Sequence, residues 1–302
     1  MRPRLRWQLR SRSLELGERT FIMGVLNVTP DSFYDGGRFV APEQAVEHGL
    51  KLLAEGADIL DIGAESTRPG AAVSADEALR GPARKPSVSA EEELQRLMPV
   101  VEGILRSRPD AIVSVDTYKA EVARAAVAAG AEIVNDVSAF LWDPRMATAC
   151  AELKCGVVLM HTRGTPEQWR TMPSEGNLTS RVRDELANRV QVAMENGVER
   201  SRIVLDPGFG FGKNFEQNYP LLAGLEHLQQ LGLPLLVGTS RKSFVGRSVS
   251  KRVGHEVAPS DRLYGSLGAM VISILHGAHI VRVHDVRPSL DAAAIADEVL
   301  IT

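Results

Sequence analysis

Residues 111–136, AIVSVDTYKAEVARAAVAAGAEIVND, contain the clearest evidence for the fold. Its β-branched run at 111–115 predicts a short buried strand, and the run at 132–135 predicts a second one. Between them, residues 120–129 place apolar side chains at helical spacing. A strand, a helix and another strand in close succession form a βαβ unit with parallel strands. The stretch therefore predicts a parallel sheet covered by helices.

The same alternation extends over the whole chain. Apolar runs predict eight strands, at 21–28, 58–62, 111–115, 132–135, 156–160, 203–205, 235–237 and 280–283. Helical periodicity marks segments between them, including 42–55, 91–106, 120–129, 181–196, 218–231 and 263–276. Eight βα units in 302 residues favour a closed (β/α)₈ TIM barrel over an open sheet.

Two parts of the chain lie outside this repeat. Leu5, Trp7 and Leu9 alternate with polar residues and predict an N-terminal strand. We expect residues 1–19 to form a β-hairpin that closes the bottom of the barrel. Residues 71–89, rich in Ala, Gly, Pro and Ser, lengthen the loop after the second barrel strand as an insertion. We treat residues 1–302 as a single domain.

Composition excludes several classes of function. The formal net charge of -3 shows no basic excess, so nucleic acid is not an expected partner. The longest apolar runs fall far short of the roughly 18 residues that span a bilayer, so we expect no membrane partner. The N-terminus lacks the apolar core of a secretion signal, which predicts a cytoplasmic location. Cys150 and Cys155 show no metal-binding or redox spacing and are predicted to be ordinary buried thiols.

Polar residues lie at or just after every predicted strand. An isolated Asp or Asn in such a place usually caps a helix or starts a turn. A barrel, however, gathers the carboxyl ends of all its strands at one mouth, where active sites form. We therefore expect one site at that mouth, bordered by Asn27, Asp61, Asp116, Asn135, His161, Asp206, Ser240, Arg282 and His284.

Three loops offer groups for a phosphate. In NVTPDSFYDGG (27–37), Asn27 supplies an amide oxygen to a hard cation that already carries substrate phosphates. In ESTRPG (65–70), the planar fork of Arg68 suits two phosphate oxygens. GTSRKS (238–243) precedes a predicted helix start, which offers backbone N–H groups to an anion. Alternation points Arg282 and His284 to the same side, so these two and Arg68 predict a pyrophosphate clamp.

The segment DPGFGFGKN (206–214) is not a nucleotide motif. The spacing from Gly208 to Gly212 before Lys213 is one residue short of a Walker A loop, and Asn214 replaces the required Ser or Thr. The dinucleotide-binding fingerprint is not matched either.

The interior of the ring indicates a flat polar ligand. Asp116, Asn135 and Asp206 can accept hydrogen bonds from the donor edge of a nitrogen heterocycle, with Lys242 nearby. Met160 and Phe211 offer flat apolar walls. A ring-recognising pocket beside a cationic rim predicts a heterocycle joined to pyrophosphate.

At this point the chain closely resembles the dihydropteroate synthase family. It contains, in the family's order, NVTPDSFYDGG, DIGAESTRPGA, VSVDT, NDV, VVLMH, LDPGFGFGKN, LLVGTSRKSFVG and GAHIVRVHDV. The likeness extends over nearly the whole chain, from residue 20 to residue 285. The resemblance implies a TIM-barrel transferase, usually a homodimer. Such an enzyme condenses (7,8-dihydropterin-6-yl)methyl diphosphate with 4-aminobenzoate (p-aminobenzoate) to give 7,8-dihydropteroate and diphosphate in folate biosynthesis, and sulfonamides compete for the 4-aminobenzoate site.

The resemblance also implies residue roles. Catalysis is expected from Asp116, Asp206, Lys242 and Arg282, and Mg²⁺ binding from Asn27. Diphosphate is expected to contact Asn27, Thr67, Arg68, Arg282 and His284. The pterin is expected to contact Asp116, Asn135, Met160, Asp206, Phe211, Gly238, Lys242 and Arg282. The expected contacts of 4-aminobenzoate are Phe33, Thr67, Pro69, Phe211, Lys242 and Ser243.

Two alternatives stay open on sequence alone. A pterin-binding methyltransferase domain shares the barrel and the Asp and Asn contacts, although it has no use for the anion groups of ESTRPG and SRKS. A catalytically silent paralogue would bind pterin without turnover. The insertion at 71–89 is longer than is usual in the family and adjoins Arg68, so we expect loop closure or drug response to differ.

Overall fold

The structure is a computed structural model that describes residues 2–29, 42–67, 71, 73 and 88–301. An antiparallel hairpin comes first, formed by β1 (Leu5–Gln8) and β2 (Ser13–Leu16). Eight parallel barrel strands follow: β3 (Phe21–Asn27), β4 (Ile59–Gly63), β5 (Val113–Asp116), β6 (Ile133–Asp136), β7 (Gly156–Met160), β8 (Ile203–Asp206), β9 (Leu236–Val237) and β10 (Ile280–Val283).

Helices lie between and after the barrel strands. They are α1 (Pro42–Ala54), α2 (Ala90–Ser107), α3 (Ala120–Ala128), α4 (Met146–Leu153), α5 (Leu178–Glu195), α6 (Asn218–Ala223), α7 (Glu226–Gln229), α8 (Ser243–Val253), α9 (Leu263–Leu275) and α10 (Val286–Ile301). Ser89 caps α2, because its side chain accepts a hydrogen bond from the backbone N–H of Glu92.

The strand order shows that the sheet curls into a barrel. Neighbouring strands run β8-β7-β6-β5-β4-β3-β10-β9, and a parallel bridge between Leu205 and Leu235 joins the two ends of this series. Both faces of the strands are buried, which is why they are apolar in nearly continuous runs. The predicted TIM-barrel class is confirmed.

The N-terminal hairpin covers the bottom of the barrel, as predicted. Trp7, Leu9 and Leu16 are buried and belong to one apolar cluster with the first residues of the barrel strands, including Phe21, Ile133 and Ile280. The indole N–H of Trp7 also donates to the carbonyl of Arg202, 2.8 Å away. The hairpin thus seals the end opposite the mouth.

One predicted element is wrong in detail. The single helix expected at 218–231 is divided into α6 and α7 at Gly224, whose missing side chain leaves room for Thr179 Cγ2, 2.9 Å from where a Cβ would lie.

The other predictions have mixed outcomes. Asp61, expected near a strand end, lies in the middle of β4. Cys150 and Cys155 are buried free thiols, as expected. Most of the insertion at 71–89 lies outside the described residues.

Candidate active site

The parallel barrel brings the predicted polar residues to one mouth. Asn27, Asp116, Met160 and Asp206 are the last residues of β3, β5, β7 and β8. Asn135 is the penultimate residue of β6, and His284 follows β10 directly. These residues lie close together because the strands are parallel, so that their carboxyl ends all reach the same side of the barrel.

Arg282 is the central cation of the mouth. Its Nε donates to Asp61 Oδ2 at 2.6 Å, and its Nη2 donates to Asp116 Oδ2 at 2.8 Å. The guanidinium therefore bridges carboxylates from β4 and β5, two strands that adjoin each other in the barrel. Gly238, on the loop after β9, lies against the Cβ of Arg282.

Asp61 is a contact that the sequence reasoning placed on the border of the site but gave no role. It is fully buried, and it also accepts from Ser114 Oγ at 2.6 Å and from Asn135 Nδ2 at 3.0 Å. The sequence could have indicated a role for Asp61, because it is a charged residue in an otherwise apolar strand and a buried carboxylate requires partners.

Asn135 presents an acceptor to the site. Its Nδ2 donates to Asp61, which fixes the orientation of the amide. Its Oδ1 is buried and has no hydrogen-bond partner among the residues that the structure describes. An unmatched buried acceptor at the mouth fits a ligand that donates a hydrogen bond.

Burial perturbs the two predicted catalytic carboxylates. Loss of hydration raises the pKa of Asp116 to about 7, although the charge of Arg282 opposes the rise. Burial raises the pKa of Asp206 to about 6, against the backbone N–H of Gly208 and the charge of Lys242. Room for Asp116 comes from Gly63, where a Cβ would lie 3.3 Å from the Cβ of Asp116.

Lys242 lies on the loop after β9, just before α8. Burial lowers its pKa to about 8, although the charges of Asp206 and Asp116 act in the opposite direction. Arg282 also lowers this pKa, so four charged groups interact here: two acidic and two basic. Ser243 is the first residue of α8, whose leading N–H groups lack partners within the helix.

The loop 206–213 is held tightly against the barrel. Lys213 Nζ is buried and donates to the carbonyl oxygens of Gly208, Phe211 and His161. Gly208 has φ +66°, and a Cβ there would lie 2.0 Å from the carbonyl oxygen of His161. Lys213 thus bonds the loop backbone, as expected of a segment that is not a phosphate-binding loop.

Phe211 and Met160 lie in one apolar cluster with Trp169. The Phe211 and Trp169 rings meet edge to face, with centroids 5.0 Å apart. This packing holds the wall of the pocket. Trp169 comes from the loop after β7, to which the sequence assigned no role.

His284 is neutral in this arrangement. Its Nδ1 lies 3.0 Å from Ser240 Oγ, and burial together with Arg282 and Arg241 lowers its pKa to about 3. A diphosphate placed beside the imidazole would raise this pKa, because a nearby anion favours the protonated ring. Arg241 itself forms a two-point ion pair with Asp285.

A buried ionic cluster holds the start of the loop after β4. Lys119 Nζ ion-pairs with both Glu65 and Glu93, and the Tyr118 hydroxyl donates to Glu65 Oε1 at 3.0 Å. Thr67 follows two residues later and is half-buried. Phe33, Arg68 and Pro69, also predicted for the site, lie outside the described residues.

Over residues 2–29, 42–67, 71, 73 and 88–301, no group of three or more His, Cys, Asp and Glu side chains is arranged to hold a metal ion. In the same ranges, no helix is both long and apolar enough to cross a membrane.

Comparison with known proteins agrees with this site. The pterin binding enzyme family matches residues 23–284. The Escherichia coli K12 dihydropteroate synthase is 42% identical over 279 residues, covering 92% of this chain and 91% of that protein.

Two solved structures of Xanthomonas albilineans dihydropteroate synthase superpose on it. The one with 4-aminobenzoic acid has a TM-score of 0.85 at 41% identity, covering 99% of this chain and 100% of the other. The one in complex with 7,8-dihydropteroate has a TM-score of 0.81 at 40% identity, covering 98% and 99%.

The barrel and its mouth thus define a pterin-binding enzyme. Within that class, the chain belongs to the dihydropteroate synthase family. The resemblance found in the sequence motifs is confirmed, and the methyltransferase alternative is not favoured.

Proposed function

We propose that this chain condenses (7,8-dihydropterin-6-yl)methyl diphosphate with 4-aminobenzoate, forming 7,8-dihydropteroate and diphosphate. The observation that carries the proposal is the charge arrangement at the mouth. Asp116 and Asp206 interact with Lys242 and Arg282 there, beside Asn135 Oδ1, which has no hydrogen-bond partner in the described ranges. Family membership supports the same reaction.

The acceptors suit the pterin ring. A pterin presents N–H donors along one edge, which the oxygens of Asp116, Asn135 and Asp206 can accept. Met160 and Phe211 would flank the ring, with Gly238 leaving space beside Arg282. The pterin site we propose therefore comprises Asp116, Asn135, Met160, Asp206, Phe211, Gly238, Lys242 and Arg282.

The charges suit departure of the diphosphate. As the C–O bond breaks, its electron pair leaves with the diphosphate and positive charge develops on the pterin. Ionised Asp116 and Asp206 stabilise that charge, because prearranged groups in a buried site need little reorganisation. The neutral arylamine then forms the C–N bond and loses a proton to solvent.

The departing anion would contact cationic and polar groups at the mouth. We assign this role to Asn27, Thr67, Arg68, Arg282 and His284. A bound Mg²⁺ would neutralise charge on the diphosphate. The donor set fits such an ion: Mg²⁺ commonly takes only one or two protein ligands plus substrate oxygens, and Asn27 offers an amide oxygen at the end of β3.

The second substrate would enter beside α8. We assign 4-aminobenzoate to Phe33, Thr67, Pro69, Phe211, Lys242 and Ser243, with its carboxylate at the N-terminus of α8. Sulfonamides, which resemble 4-aminobenzoate, would compete there. The X. albilineans structure with 4-aminobenzoic acid supports this substrate for the family.

An assay with purified protein tests the proposal. The mixture contains the pterin diphosphate, radiolabelled 4-aminobenzoate and Mg²⁺, with an EDTA control. We expect dihydropteroate to form only when the metal is present. Binding of the pterin diphosphate without product would instead support the silent paralogue, and absence of both would refute the site assignment.

We also propose that the chain is a single-domain, cytoplasmic homodimer. Exposed apolar side chains on α9 and α10 support the pairing, including Tyr264 at 84% and Ile295 at 71% exposure. Light scattering should give a dimer for the native chain. The double variant Tyr264→Asp/Ile295→Glu should be monomeric, and unchanged dimers would refute this face as the interface.

A further inference from the structure

Asp61 has a place in the site that differs from that of the other carboxylates. Its side chain is completely buried, whereas the side chain of Asp116 is 19% exposed. Each of its oxygens is occupied: Oδ1 by Ser114 Oγ, and Oδ2 by both Asn135 Nδ2 and Arg282 Nε. A carboxylate so enclosed cannot contact a ligand itself.

The contact with Asn135 sets the polarity of that amide. An ionised carboxylate accepts hydrogen bonds but donates none, so only the NH₂ group of Asn135 can face Asp61. The Oδ1 atom of Asn135 must then face away from Asp61. This atom is the buried acceptor that has no partner in the described part of the chain. Asp61 thereby determines that Asn135 accepts from a ligand rather than donating to it.

The contact with Arg282 sets the direction of the guanidinium. Nε is held by Asp61 and Nη2 by Asp116, which fixes the plane of the group at two points. Arg282 lies on β10 and Asp61 on β4, with β3 between them in the sheet. The ion pair therefore spans one strand and holds the arginine across the mouth.

We propose that Asp61 is a positioning residue of the pterin site, which orients Asn135 as an acceptor and aligns Arg282. This inference rests on the proposed function. It predicts that Asp61 acts on the pterin substrate alone and leaves recognition of 4-aminobenzoate unchanged.

The test uses Asp61→Asn, which keeps the shape but presents a donor as well as an acceptor. An amide at this position lets Asn135 turn over and weakens the hold on Arg282. We expect the Kd for 6-hydroxymethyl-7,8-dihydropterin, measured by calorimetry, to rise about 10- to 100-fold, as for loss of hydrogen bonds to a charged group. KM for the pterin diphosphate should rise in parallel, with KM for 4-aminobenzoate within about twofold of native.

The matched control is Glu132→Gln. Glu132 is also a buried carboxylate, but it lies at the bottom of the barrel, where it accepts from the backbone N–H of Ser11 at 2.9 Å. This variant should lose thermal stability and keep the native pterin Kd. A purely structural role for Asp61 would give the same pattern in Asp61→Asn.

A double-mutant cycle tests the route of the effect. If Asp61 acts through Asn135, Asp61→Asn should weaken pterin binding less in an Asn135→Ala background than in the native chain. Additive effects would overturn that route.

Ser114→Ala covers the case in which Asp61→Asn does not fold. It removes the donor to Oδ1 alone and should raise the pterin Kd about two- to fivefold. An unchanged pterin Kd in Asp61→Asn, or in Ser114→Ala where Asp61→Asn does not fold, would overturn the proposal, while absence of pterin binding by the native chain would instead refute the proposed function.

Discussion

The ammonium nitrogen of Lys242 lies 4.0 Å from the centroid of the Phe211 ring. The two residues come from different loops, one after β8 and one after β9, so the contact joins the two loops at the mouth. A cation over an aromatic face is stabilised by the ring quadrupole. The same ring is held on another side by Trp169.

Replacing the ring should weaken the site measurably. We expect Phe211→Leu to reduce kcat/KM about 2- to 30-fold, because it removes the cation–π contact as well as a flat wall. Phe211→Tyr keeps the aromatic face and should retain most activity. Steady-state kinetics with both substrates provide the measurement, and native kcat/KM in the leucine variant would contradict the role of the ring.

Activity should depend on pH in a bell-shaped manner. Burial raises the pKa of Asp116 to about 7 and that of Asp206 to about 6, so acidification below neutrality protonates the carboxylates that stabilise the pterin cation. Burial lowers the pKa of Lys242 to about 8, so its charge is lost above that pH. We therefore expect kcat/KM to be highest between about pH 7, the pKa of Asp116, and about pH 8, the pKa of Lys242, and to fall on both sides.

The profile is measured as kcat/KM from about pH 5 to about pH 9.5, which reports the ionisation of the free enzyme. Lys242→Arg should extend the alkaline side, because a guanidinium stays charged throughout this range. A profile that is flat through the same range would be inconsistent with the assigned groups.

Removing Arg282 should affect both catalysis and stability. Arg282→Ala is expected to reduce activity by orders of magnitude, as is Asp116→Ala. Because both residues lie at the mouth rather than in the core, the sequence alone predicts that both variants keep their fold. The structure, however, pairs Arg282 with the fully buried Asp61. Loss of one partner leaves that charge uncompensated, so Arg282→Ala should be destabilised by about 3–5 kcal/mol.

Denaturant unfolding measures this cost. Adding Asp61→Asn to Arg282→Ala should restore part of the stability without restoring activity, because the uncompensated charge is removed. Equal stability of Arg282→Ala and the native chain would disprove the linkage.

The buried ionic cluster of Lys119, Glu65 and Glu93, at the start of the loop after β4, gives a separate prediction. Lys119→Met leaves Glu65 and Glu93 buried without their shared cation, so we expect a loss of about 3–5 kcal/mol in unfolding free energy. KM for the pterin diphosphate should also rise, because Glu65 fixes the start of the loop that carries Thr67.

Arg124→Met is the matched control for Lys119→Met. Arg124 ion-pairs with Glu152 on the surface, where both side chains are about half exposed, so its loss should cost no more than about 1 kcal/mol. Similar losses in the two variants would show that burial of the cluster has no special effect.

Much of the fold and mouth could be predicted because the barrel repeats one local pattern. Strands such as β7 and β10 have the predicted bounds, since their apolar runs end at clear polar boundaries. The break at Gly224 could not be predicted, because it depends on the contact with Thr179, 45 residues earlier in the chain.

The role of Asp61 was similarly hidden. Its partners Ser114, Asn135 and Arg282 lie on three other strands, and only the closed barrel brings them within hydrogen-bond distance. Sequence periodicity can place each residue on the inner side of a strand, but it cannot state which of them pair.

The sealed bottom has a practical consequence for protein engineering. Arg2 ion-pairs with Asp297 of α10 at 3.0 Å, so the segment before β1 and the last helix meet on the face opposite the mouth. Affinity tags, fluorescent reporters or surface tethers joined to the chain next to this contact would extend away from the substrate entrance. Immobilised enzyme should accordingly keep its entrance open to small molecules.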